Sequence, residues 1–160
     1  MERPLSGEEL RIFEICRQIE LVNAEIYLYF VEIFSDIPWC AELWGKTARE
    51  EQNHAAQFEL AMKMKRGVIE SVVIDKETAA NALKVTESIL AEVKGQHLSL
   101  EDALRASIKL EIHLAEFHMD CITIFKEESF AKMFKAMMAA DEYHLKALQN
   151  AYKDYQKGLK

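Results

Sequence analysis

Four carboxylates and two histidines in this chain stand where a helix ordinarily buries apolar side chains. Apolar residues recur at helical spacing over most of the sequence, and positions three, four and seven apart share one face. By that rule Glu20 sits with Phe13, Cys16, Ala24 and Tyr27, while Arg11, Glu14, Gln18, Glu25 and Glu32 form a separate polar stripe. Glu51 and His54 fall with Trp44, Ala48, Ala55, Phe58 and Met62, whereas neighbouring Glu50 aligns outward with Lys46, Asn53 and Gln57. Glu111 belongs with Leu104, Ile108, Leu114, Ala115, His118 and Ile122, and Glu116 with Lys109, His113 and Asp120. Asp141 and His144 fall among Phe134, Met137, Met138, Leu145, Leu148 and Tyr152, opposite Glu142 with Lys135, Lys146 and Gln149. An ionised carboxylate on a buried face needs a neutralising partner. Carboxylate-x-x-His puts an oxygen and an imidazole nitrogen side by side, so both reach one ion. Glu20, Glu51, His54, Glu111, Asp141 and His144 therefore suit a pair of iron ions, with manganese or another divalent metal as the alternative.

These residues are in register with each other. Glu111 follows Glu20 by 91 residues, and Asp141 and His144 follow Glu51 and His54 by 90. An internal duplication of a helix pair is implied, in which Tyr27 and His118 are equivalent and each lies seven residues after its carboxylate. That place fits hydrogen bonds to carboxylates across the bundle, and His118 is also a candidate direct ligand.

The elements that must present these side chains are four long helices. Ser6-x-x-Glu9 reads as a capping box, and the helical pattern after it runs to about Phe34 before Pro38 interrupts. A second helix runs from about Trp39 to Arg66, with Gly67 at its end, and the short break makes the pair antiparallel. The stretch from Val68 to Gln96 holds the β-branched run Val72-Val73-Ile74 and a shorter helix, Lys76 to Lys94, closed by Gly95. Ser99-x-x-Asp102 opens a third long helix reaching roughly Lys126, and a fourth spans about Ser129 to Lys153. The expected architecture is all-α: an antiparallel four-helix bundle of two hairpins joined by a long crossover containing a short helix, one domain over residues 1–160.

Composition narrows the partners. Half the 160 residues are hydrophobic and 29% are charged, with five glycines and two prolines, too little turn material for an all-β chain. A net charge of -7 and a pI near 5.3 give no footprint for nucleic acid or an anionic membrane surface. No secretory signal or membrane span is recognised, so a soluble cytoplasmic protein is expected. Cys16, Cys40 and Cys121 are odd in number and widely spaced, and read as buried small hydrophobes. Met133, Met137 and Met138 read as core filler, and Glu14, Glu25, Glu32, Glu127 and Glu128 as a solvated acidic surface.

The motifs Ile19-Glu20 through Ile26-Tyr27, Glu50-Glu51-x-x-His54, Lys109-Leu110-Glu111 through Glu116-Phe117, and Asp141-x-x-His144 resemble the rubrerythrin branch of the ferritin-like superfamily over nearly the whole chain. The resemblance implies a carboxylate-bridged di-iron centre. In it Glu51 and Asp141 are bridges, Glu20 and Glu111 terminal or bridging ligands, and His54 and His144 one imidazole per iron. Three departures accompany it. Neither Cys-x-x-Cys pair of a rubredoxin-type centre is present, position 114 is Leu where the family commonly has a further Glu, and Asp141 stands for a Glu.

The function so implied is an oxidoreductase that reduces hydrogen peroxide or dioxygen, served by an external electron donor and forming a homodimer or higher homo-oligomer. The alternatives are an iron-sequestering ferroxidase and a non-catalytic metal-binding bundle. No catalytic residue beyond the ligands is identified.

Overall fold

The computed structural model describes residues 5–64, 76–125 and 127–158. Five helices make up nearly all of them: α1 (Gly7–Ile33), α2 (Pro38–Met64), α3 (Lys76–Lys94), α4 (Leu100–Ile124) and α5 (Glu128–Gln156). Both expected capping boxes form. Ser6 Oγ accepts from the Glu9 N–H at 3.1 Å while Glu9 Oε1 accepts from the Ser6 N–H at 3.0 Å, and Ser99 and Asp102 repeat the exchange at 3.1 and 3.4 Å. Pro38 takes the first position of α2, where a missing N–H is not needed. At α5 the start differs from expectation. Glu127 accepts from the Phe130 N–H at 3.1 Å, so this residue caps a helix and is not merely part of an acidic surface. The Arg66–Gly67 terminus, the Val72-Val73-Ile74 run and Lys126 lie outside the described residues.

Contacts between helices give their directions. Phe30 meets Trp44 and Phe13 meets Phe58, so α1 and α2 are antiparallel. Tyr152 bonds Glu101 and Phe125 meets Phe130, so α4 and α5 are too. Tyr27 reaches Glu111 and Glu20 reaches His118, which sets α4 antiparallel to α1. The chain must therefore return along the bundle between α2 and α4, and α3 makes that journey. It runs parallel to α1, with Lys76 beside Glu8 at 3.3 Å at one end and Lys94 on Glu25 at 2.9 Å at the other. His113 Nε2 meets the Ala82 carbonyl at 3.2 Å and ties α4 to it. This is the two-hairpin bundle with a helical crossover.

The interior divides into two apolar clusters. One gathers Ile12, Phe13, Cys16, Phe58, Leu114, Cys121, Phe125 and Phe134; the other gathers Tyr27, Phe30, Trp44, Leu104, Leu110 and Leu148. Between them each long helix contributes polar side chains to the same level: Glu20, then Glu51 and His54, then Glu111, then Asp141 and His144. Among the described residues no helix is long and apolar enough to cross a membrane.

Candidate metal centre

Glu20, Glu51, Glu111 and Asp141 are 0% exposed, and His54 and His144 only 8% and 3%. A buried polar atom normally has a hydrogen-bond partner. Here Glu20 Oε2, both oxygens of Glu51, His54 Nδ1, Glu111 Oε2, Asp141 Oδ1 and His144 Nδ1 have none. They converge. Glu20, Glu51 and His54 form one set of atoms compact enough to hold an ion, and Glu51, Glu111, Asp141 and His144 form a second. Glu51 belongs to both. His54 Nδ1 lies 3.7 Å from both Glu20 Oε2 and Glu51 Oε2, while His144 Nδ1 lies 3.4 Å from Glu51 Oε1 and 3.7 Å from Glu111 Oε2. Oxygen-rich donors with one imidazole apiece fit two first-row divalent ions. Asp141 joins only the His144 set. Its side chain is one methylene shorter than glutamate, and its Oδ2 is engaged elsewhere.

That engagement is with His118, whose Nδ1 is 2.5 Å from Asp141 Oδ2 and whose Nε2 is 2.8 Å from Glu20 Oε1. A carboxylate on each nitrogen makes His118 a doubly protonated imidazolium. Burial opposes that charge, but the Asp141 and Glu20 contacts overcome it and raise the pKa well above the ordinary value. Tyr27 occupies the equivalent place on α1 and donates to Glu111 Oε1 at 2.5 Å. Each residue thus reaches across the α1–α4 interface to a carboxylate of the opposite half.

Charge is distributed unevenly. Burial works against ionised Glu20, yet its Glu51, His118 and His54 neighbours hold its carboxyl at about 2. Burial and the Glu20 charge push Glu51 up, and burial likewise raises Glu111. Burial lifts Asp141 to about 6 even though His118 pulls the other way. Burial disfavours a charge on His54 and His144, but the surrounding carboxylates raise them to about 10 and 11. The cluster holds protons where two cations would sit.

Two residues near the cluster were not found by spacing. Glu50 does not point away as its stripe suggests: it is half-buried, and its Oε2 meets His144 Nε2 across the α2–α5 interface. With Nε2 bonded there, Nδ1 faces Glu51 and Glu111. Its repeat equivalent is Ala140, so His54 has no matching carboxylate. No signal within α2 marks Glu50, because the packing of α5 decides its contact. Asn23, three residues after Glu20, is fully buried with both carboxamide atoms unpartnered. Its repeat equivalent is Leu114, itself fully buried. The i,i+3 spacing from Glu20 was the available clue.

A cavity of about 300 Å³ between α2 and α5, walled by Trp39, Lys46 and Tyr143, has His144 in its lining. It opens the protein surface toward one end of the cluster.

The chain is similar to the crystal structure of hypothetical protein MJ0754 from Methanococcus jannaschii DSM 2661, with a TM-score of 0.67 at 17% identity, over 98% of this chain and 86% of that one. At that identity the likeness speaks for the fold. No curated protein matched the chain. Residues 14–152, well over half the sequence, match the family profile described as Rubrerythrin, and the chain belongs to the rubrerythrin family.

Proposed function

We propose that the chain binds two iron ions and reduces hydrogen peroxide, or dioxygen, to water with electrons returned by an external donor. The observation that carries this reading is the convergence of unpartnered oxygen and nitrogen atoms from four helices into two sets that share Glu51. Glu20, Glu51 and His54 would hold one ion, and Glu51, Glu111, Asp141 and His144 the other. When bound, the iron pair supplies the electrons that reduce the oxidant.

The rest is done by the chain. Tyr27 and His118 anchor one oxygen each of Glu111, Glu20 and Asp141, so the remaining oxygens are aimed at the pocket. His118 keeps protons on Nδ1 and Nε2 beside the carboxylates, a source inside the bundle for the water that forms. The two apolar clusters flank the site along the bundle, and the cavity lined by His144 admits a small oxidant. No Cys-x-x-Cys pair of a rubredoxin-type donor stands among the 160 residues.

The test is anaerobic loading with Fe²⁺ followed by exposure to peroxide or dioxygen. About two irons per chain should bind. The reduced protein should consume peroxide faster than dioxygen and stop once its own reducing equivalents are spent. A loaded protein that ignores peroxide, consumes dioxygen and gathers many irons per chain would establish sequestration instead.

A further inference from the structure

Cys16 on α1 and Cys121 on α4 are two thiols that the site does not use. Glu20 and His118 lie side by side on these antiparallel helices. Moving four residues back from Glu20 and three onward from His118 travels in the same direction along the bundle, by about 6 and 4.5 Å. Those steps arrive at Cys16 and Cys121. Both are essentially inaccessible, at 0% and 1% exposure, and both belong to the same apolar cluster. Cys121 is near enough to Cys16 to help raise the Cys16 pKa. Neither belongs to the sets of atoms compact enough to grip one ion, so they are not ligands. Cys40 sits in the other cluster, apart from this pair.

We propose that Cys16 and Cys121 are a redox couple, a dithiol that supplies two electrons to the peroxide reduced at the neighbouring site and becomes a disulfide. This rests on the peroxide reading above. Two S–H bonds and the peroxide O–O bond break, and one S–S bond forms. The two sulfur electrons reduce the two peroxide oxygens, and the two thiol protons complete two waters. The couple adds a second pair of reducing equivalents to those of the iron. Forming the bond asks the sulfurs to close to about 2.05 Å. Burial pushes the Cys16 thiol well above its ordinary pKa, and the neighbouring Cys121 adds to that. A protonated buried thiol attacks peroxide slowly by itself, so the oxidation depends on the loaded site.

The experiment treats Fe²⁺-loaded and metal-free protein with peroxide anaerobically, blocks remaining thiols, and maps peptides by mass spectrometry. The expected result for loaded protein is a Cys16–Cys121 link with Cys40 free, so that free thiols fall from three to one. Metal-free protein should retain all three under the same exposure. Loaded wild type should consume about two equivalents of peroxide and C16S or C121S about one. Peroxide consumed while Cys16 and Cys121 stay free would overturn the couple and leave the peroxide reading standing. Peroxide left unconsumed would remove the peroxide reading and the donor role with it.

Discussion

Glu50 and Glu51 are neighbours in sequence with different physical lives. Glu51 has no contact with water and no hydrogen-bond partner for either oxygen, whereas Glu50 is half-exposed and holds one nitrogen of His144. A carboxylate behind a ligating histidine typically changes metal affinity by about 10- to 100-fold. Glu50→Ala is therefore expected to weaken one of two binding steps by about that factor, and Glu50→Gln less, because the amide oxygen still accepts. Glu116→Ala, on an exposed position of α4, should leave both steps unchanged; titration with Co²⁺ or Fe²⁺ followed by absorbance separates the three variants. Equal behaviour of E50A and E116A would remove the role given to Glu50. Leu114 sets a second residue-scale expectation. It is fully buried in the cluster that contains Cys16, so Leu114→Glu introduces a carboxylate without a partner. Loss of roughly 3 kcal/mol is expected in metal-free protein. The loaded protein should lose less and show an altered oxidised-state spectrum, since a metal can neutralise the added charge. Denaturation curves with and without chelator measure the difference.

At the scale of elements, the site depends on where helices begin, because a shift in one helix moves its carboxylates and imidazoles relative to the other three. Ser6 and Ser99 fix the starts of α1 and α4, the two helices joined by Tyr27–Glu111 and His118–Glu20. Ser6→Ala and Ser99→Ala should each cost about 1 kcal/mol of folding stability. The caps belong to separate helices and share no partner, so the double variant should lose close to the sum in urea denaturation. Helix α3 contributes no side chain to the cluster. It carries the chain back along α1 so that the second hairpin can enter with its carboxylates at the same level as those of the first.

Across the whole molecule, the linked titrations predict how stability follows pH. In metal-free protein His54 and His144 are raised from 6.5 to about 10 and 11. A raised folded pKa means stability that is complete below the unfolded value and lost as pH climbs through the folded one. Asp141, raised from 3.8 to about 6, acts the same way at lower pH. Glu20, lowered from 4.5 to about 2, has the opposite sign: its contribution is present above 4.5 and is lost as pH falls through about 2. Glu20 departs from the other three carboxyls because Glu51, His118 and His54 surround it. Metal-free protein should therefore lose stability as pH rises from about 4 to 6 and again from about 6.5 toward 11. Loaded protein should show a gap over it that widens with pH, because binding needs deprotonated ligands. Thermal unfolding at stepped pH, with and without chelator, reads both. A metal-free curve that rises across this range would contradict the cluster.

How much was legible follows from the range of each interaction. Helix starts at Ser6 and Ser99, the inward places of Glu20, Glu51, Glu111 and Asp141, and the paired halves could be read from the sequence. Each depends on neighbours three to seven residues away or on a repeat that survives as spacing. Glu50 on His144, the double contact of His118, the depressed Glu20 carboxyl and the meeting of Cys16 with Cys121 needed the tertiary structure. In every one of these the deciding partner lies on another helix, and its approach is set by the packing of the two apolar clusters. Periodicity says which face a side chain takes; only the bundle says what that face meets.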